Sequence, residues 1–194
     1  MPGRTPADAV KAFLEPIQLA LSCIAHGKIT VTPGGYGSTE REHVWAVNSV
    51  NGAVLPGCGL RLRGSMRYQI VPTAEGEDLP YRCTTRGYMY AIEHVGAGHE
   101  IAAWHWHPTS AYTAPHLHVG SSQLESDATL TGRAHLGCGR TSFEAVVRSA
   151  VDLGAIPIRE DWEHQLDLTR GVFEIYRTWG TTPPEVTGRH RKDA

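Results

Sequence analysis

Apolar and polar residues alternate cleanly from Leu60 to Val71. Leu60, Leu62, Met66, Tyr68 and Ile70 fall on one face and Arg61, Arg63, Ser65 and Arg67 on the other, the pattern of a half-buried strand. After the polar stretch Ala74–Pro80, a second long strand is expected over Tyr81–Val95, with Arg82, Arg86, Tyr88, Tyr90 and His94 sharing a face. Gly96-Ala97-Gly98 is a compact turn into a third strand, His99–His107, so these two should form an antiparallel hairpin. A short extended segment, His116–Gly120, follows. Upstream, Ile29–Thr32 and His43–Val50 read as strands, with Asn51-Gly52 a tight turn and Pro33–Gly37 a turn or mobile loop whose glycines play a structural part.

The period changes to 3.6 at both ends of the chain. Thr5-Pro6-Ala7-Asp8 is a helix start with Thr5 as N-cap and Asp8 closing a capping box. Val10, Phe13, Leu14, Ile17, Leu21 and Ile24 then make an apolar stripe; Pro16 is expected to kink this helix and Gly27 to end it. Towards the C-terminus, Thr141-Ser142-Phe143-Glu144 resembles a capping box with Thr141 as N-cap, followed by Phe143, Val146, Val147, Ala150 and Val151 and a stop at Gly154. A last helix is expected from about Glu160 to Trp179, with Trp162, Leu166, Thr169, Phe173 and Tyr176 at near-helical intervals and Gly180 and Pro183-Pro184 ending it. The expectation is one α+β domain over residues 1–180: an antiparallel β-sheet meander, a kinked N-terminal helix, and two C-terminal helices covering a sheet face. Residues 181–194 are expected to be a disordered tail.

Composition narrows the function classes. A chain of 194 residues, 41% hydrophobic and 20% charged, can build a core without disulfides or structural metal. Cys23, Cys58, Cys83 and Cys138 form no C-x-x-C pair, which argues against a zinc ribbon or a thioredoxin-type site and fits four free thiols. No apolar run is long enough for a membrane span and Met1–Asp8 does not read as a signal peptide, so a cytoplasmic protein is expected. The net charge of −2 shows no strongly basic surface, although the arginines of the Leu60–Val71 strand share one face.

The chemistry is concentrated in His99–Gly120. Seven of the 11 histidines lie between His94 and His135, and two His-x-His pairs, His105/His107 and His116/His118, flank the segment Pro108–Pro115. On a strand, residues two apart share a face, so each pair projects together, with Trp104 and Trp106 turned away. His94 and His99 are candidate further members. His26, His43, His164 and His190 lie outside the cluster.

Three accounts fit. In the first, His105, His107, His116 and His118 are acids and bases for phosphoryl chemistry on RNA, needing no cofactor; Arg61, Arg63, Arg67 or Arg86 hold the phosphate, and Tyr88, Tyr90 or Trp106 stack on a base. His116-Leu117-His118-Val119-Gly120 carries two alternating histidines of a histidine-triad signature. Gly120 stands in place of the third, which argues against that family of nucleotidyl hydrolases. In the second account the same four imidazoles ligate zinc or another transition metal, such as nickel, copper or iron. The cupin pattern expects a Glu soon after His-x-His, whereas the next acid after His107 is Glu125. In the third, the Trp and Tyr residues form the contact surface of a non-catalytic interaction protein.

The order Tyr88-x-Tyr90, His94, His105-x-His107-Pro108, then Pro115-His116-x-His118-Val119-Gly120 resembles the toxin family of bacterial toxin–antitoxin systems called TumE, over about Leu60–Gly120. The resemblance implies a toxin-like protein, an RNA-directed enzyme, partnered by a DNA-binding antitoxin. The stretch Gly139–Glu144, with Asp161-Trp162 and Arg177-Thr178-Trp179, is similar to uncharacterised actinobacterial proteins and names no chemistry.

Overall fold

The computed structural model describes residues 2–126 and 129–176. Its strands are β1 (Pro2–Gly3), β2 (Ile29–Val31), β3 (His43–Val47), β4 (Ala53–Val54), β5 (Leu60–Pro72), β6 (Tyr81–His94), β7 (Glu100–Trp106), β8 (His116–Val119) and β9 (Leu136–Gly137). Its helices are α1 (Pro6–Ser22), α2 (Phe143–Asp152) and α3 (Trp162–Tyr176). The strands form one antiparallel sheet in the order β2-β3-β5-β6-β7-β8-β9, with β1 on β6 and β4 on β5. The expected α+β meander with one N-terminal and two C-terminal helices is what the chain forms. Among the described residues, no helix is long and apolar enough to cross a membrane. The expected tail, and the end of the last helix at Trp179, lie outside the described residues.

Local signals set the helix starts. Asp8 N donates to the Thr5 hydroxyl (3.1 Å) and Thr5 N donates to the Asp8 carboxylate (3.2 Å), so the capping box forms as expected. Helix α1 runs through Pro16 and stops at Ser22, ahead of the expected Gly27, with Cys23 as its C-cap. At α2 the N-cap is Ser142, not Thr141: its hydroxyl accepts from Ala145 N at 3.1 Å. Thr141 is drawn off by the sheet, its backbone N–H donating to the Tyr88 hydroxyl at 2.9 Å. Strand β3 is also shorter than expected. Asn48, Ser49 and Val50 turn left-handed (φ 48°, 53° and 75°), and Asn48 fastens the turn by donating to Gly52 O (2.8 Å) and accepting from Lys28 N (2.9 Å). The glycine-rich loop before β3 has the structural part expected of it, Gly35 O accepting from the buried Tyr68 hydroxyl at 2.8 Å.

One face of the sheet is the core. Phe13 of α1 packs on Tyr68 (ring centroids 5.6 Å apart), and Phe143 of α2 sits between Trp45 and Tyr90, 5.6 Å from each. Helix α3 packs chiefly on α1 and α2. Helices therefore blanket the face bearing Leu62, Met66, Tyr68, Tyr88 and Tyr90, as an amphipathic sheet requires.

A β-bulge determines which residues reach the other face. Arg67 pairs with Gly87 but Tyr68 pairs with Thr85, so Arg86 is an extra residue in β6. Because side chains alternate with period two, one inserted residue reverses the parity of everything beyond it. The expected common face of Arg82, Arg86, Tyr88, Tyr90 and His94 is therefore not formed. Tyr88 and Tyr90 point into the core, 2% and 0% exposed.

Candidate metal centre

The face turned away from the helices carries the histidines. Strand β7 alternates, Ala103 and His105 facing one way and Trp104 and Trp106 the other, with Trp106 packed against Tyr88. The β7–β8 register pairs His105 with His116 and Ala103 with His118, so both imidazoles of β8 land beside His105. Ring centroids are 5.5 Å apart for His105–His116, 5.0 Å for His105–His118 and 4.9 Å for His116–His118. One nitrogen from each of these three rings lies within 4.8 Å of the others.

A hydrogen bond fixes the tautomer of His116. His116 Nδ1 lies 2.9 Å from Ala114 O. A carbonyl only accepts, so Nδ1 carries the proton and Nε2 keeps its lone pair, the usual arrangement of a metal-ligating histidine. His105 Nε2 is buried and has no hydrogen-bond partner among the described residues.

The electrostatics favour neutral rings. Burial pushes His105 down to about 4 from 6.5, and His118, His107, His116 and His135 add to the effect. Desolvation also lowers His107, His116 and His118; Arg67 adds to it at His107, and His135 at His116 and His118. At His118, Glu100 and the backbone of Ala134 and Gly132 work the other way. At neutral pH the cluster presents lone pairs rather than charge, the state a metal ion needs.

The other expected site residues are placed differently. His107 is 5.5 Å from His105, ring to ring, but is not among the three whose nitrogens converge. His94 and His99 are exposed and also stand outside that group. Arg61 and Arg63 reach the buried carboxylate of Glu93 at 3.2 and 3.5 Å. Arg67 donates to Glu42 and to Arg86 O, both at 3.3 Å, and Arg86 donates to Gln69 Oε1 at 2.7 Å. All four guanidinium groups thus have protein partners. Tyr88 and Tyr90 stack on each other at 4.8 Å inside the core, so neither offers a ring to a nucleotide base, contrary to expectation.

Two residues that the motif reading did not assign to the site belong to this neighbourhood. The ring of His135 is 4.6 Å from that of His116 and 4.7 Å from that of His118. Tyr112 stacks on His135 at 4.8 Å and meets His116 edge-on at 4.8 Å. Neither stands in a His-x-His pattern; the unusual density of histidines up to His135 was their only trace.

No family model, curated protein or solved structure matches the chain.

Proposed function

We propose that this protein binds a transition-metal ion of the zinc class through His105, His116 and His118. The observation that carries the reading is the convergence of three imidazole nitrogens within 4.8 Å on adjacent strands, in a cluster where the buried His105 Nε2 has no hydrogen-bond partner among the described residues. An ion held at about 2.0–2.1 Å from each nitrogen in tetrahedral geometry needs nitrogens about 3.3 Å apart. Small rotations about the side-chain bonds close that gap, with the β7–β8 ladder holding the Cα positions.

Untagged protein should carry about one metal ion per chain by elemental analysis, and chelation should lower its melting temperature. The variant His116→Ala should emerge folded and metal-free. Metal-free wild-type protein that neither takes up zinc nor is stabilised by it would defeat the reading.

A second reading is metal-independent cleavage of RNA by His105, His107, His116 and His118, in keeping with the RNA-directed enzyme that the TumE resemblance implies. Arg67 close enough to influence His107 supports it. It requires one imidazole to be protonated near neutrality, and the downward displacement of all four works against that. Metal-free protein that cleaves RNA, and loses the activity in His116→Ala, would establish this reading in place of the first.

A further inference from the structure

The β8–β9 ladder pairs His116 with Gly137 and Leu117 with Leu136. Extended by one residue, the same register sets His135 opposite His118, just beyond the end of β9. Histidines therefore stand on three neighbouring chain segments, with His105 across from His116 and His118 across from His135. The ring of His135 is as close to His116 and His118 (4.6 and 4.7 Å) as the rings of the converging three are to one another (4.9–5.5 Å), and its nitrogens, which stand outside the converging group, join it by a turn of this exposed side chain. Tyr112 stacks on it at an interplanar angle of 21°. His107, its rival by sequence, has a close ring contact with His105 alone among the three.

We propose that His135 is the fourth ligand, closing an all-imidazole centre that takes late first-row divalent ions, cobalt to zinc, in preference to magnesium, calcium or manganese. This rests on the tri-histidine reading above and deepens it. Four imidazoles fill a tetrahedral shell without a carboxylate, and the harder cations require oxygen ligands that this set does not supply. A filled shell also distinguishes the centre from a three-ligand catalytic site, which keeps one position open for water or substrate. His135 is exposed, so it can be replaced without opening the core.

The test is titration of the untagged full-length chain with cobalt(II), followed by its visible spectrum. Four-coordinate cobalt(II) absorbs intensely, and five- or six-coordinate cobalt(II) weakly. Wild-type protein is expected to bind one ion with the intense band and to ignore magnesium at the same concentration. His135→Ala should weaken binding about 100-fold, the top of the range seen for the loss of even an outer-shell partner, and shift the visible band, since water takes the fourth position in place of an imidazole. If His135→Ala binds cobalt(II) like the wild type, or if His107→Ala alone shifts the band, His135 is not the ligand and the three-histidine reading survives. If wild-type protein binds no cobalt(II), both inferences fall together.

Discussion

Replacing His105 by Leu should make the metal-free protein more stable and deaf to zinc. His105 Nε2 is buried without a hydrogen-bond partner among the described residues, and a buried polar atom left unsatisfied costs about 1–3 kcal/mol. The ring is only partly buried, so the lower end applies, and His105→Leu should gain about 1 kcal/mol at pH 7. Acid should enlarge the difference. The folded state holds this imidazole at about 4 against 6.5 for the free group, so on acidification the unfolded chain takes up the proton first. The stability tied to His105 is fully present above pH 6.5 and is lost as pH falls through about 4. At about 1.4 kcal/mol per tenfold change in proton affinity, the loss reaches up to about 3 kcal/mol.

Urea unfolding of wild type and variant, in chelator at pH 7 and pH 4.5 and again with zinc at pH 7, measures all of this. Wild-type protein should gain about 2.7 kcal/mol when free zinc is about 100 times its dissociation constant, and the variant nothing. The reasoning is refuted if metal-free His105→Leu is less stable than wild type at pH 7, if its acid limb is unchanged, or if it keeps the zinc response.

Other parts of the fold give independent checks. Phe143→Ala removes a fully buried ring wedged between Trp45 and Tyr90 and should cost about 3–5 kcal/mol in denaturant unfolding. Zinc affinity, measured by calorimetry, should stay within about twofold because the ring lies on the opposite face of the sheet. Deleting Arg86 closes the bulge, because Thr85 and Gly87 then follow one another opposite Tyr68 and Arg67 and leave Tyr88 and Tyr90 facing the core; circular dichroism should show a native-like spectrum, and loss of the folded state would contradict the parity argument. Gly120→Ala drives a methyl group into Glu100 O on the neighbouring strand. It should lower the melting temperature by several degrees and weaken zinc binding, since β7 and β8 then cannot close to the register that joins His105 to His116.

Much of this protein is legible in short windows of sequence because the physics there is local. The alternation of Leu60–Val71 reports a half-buried strand, since successive side chains must face opposite ways. The Thr5–Asp8 box starts a helix using groups within four residues of one another. The same locality pairs His116 with His118 on one face of a strand and turns Trp104 and Trp106 away from His105. The displaced cap at Thr141 shows where local reasoning ends, because the group that takes its N–H, the Tyr88 hydroxyl, is 53 residues distant.

The sequence by itself thus determined the element types, the sheet's amphipathic character and the richness of one strand region in paired imidazoles. Tertiary structure decided three other things. The extra residue at Arg86 appears only when β6 is laid against β5, and it sends two tyrosines from the expected binding face into the core. The β7–β8 register chose His116 and His118 as companions of His105. The β8–β9 pairing brought the ring of His135 across 17 residues to the side of His116 and His118, while His107, two residues from His105, has a close ring contact with His105 alone of the three. Side-chain alternation is a property of one strand, whereas convergence on a point depends on registers between strands, and those follow from which apolar faces the helices bury.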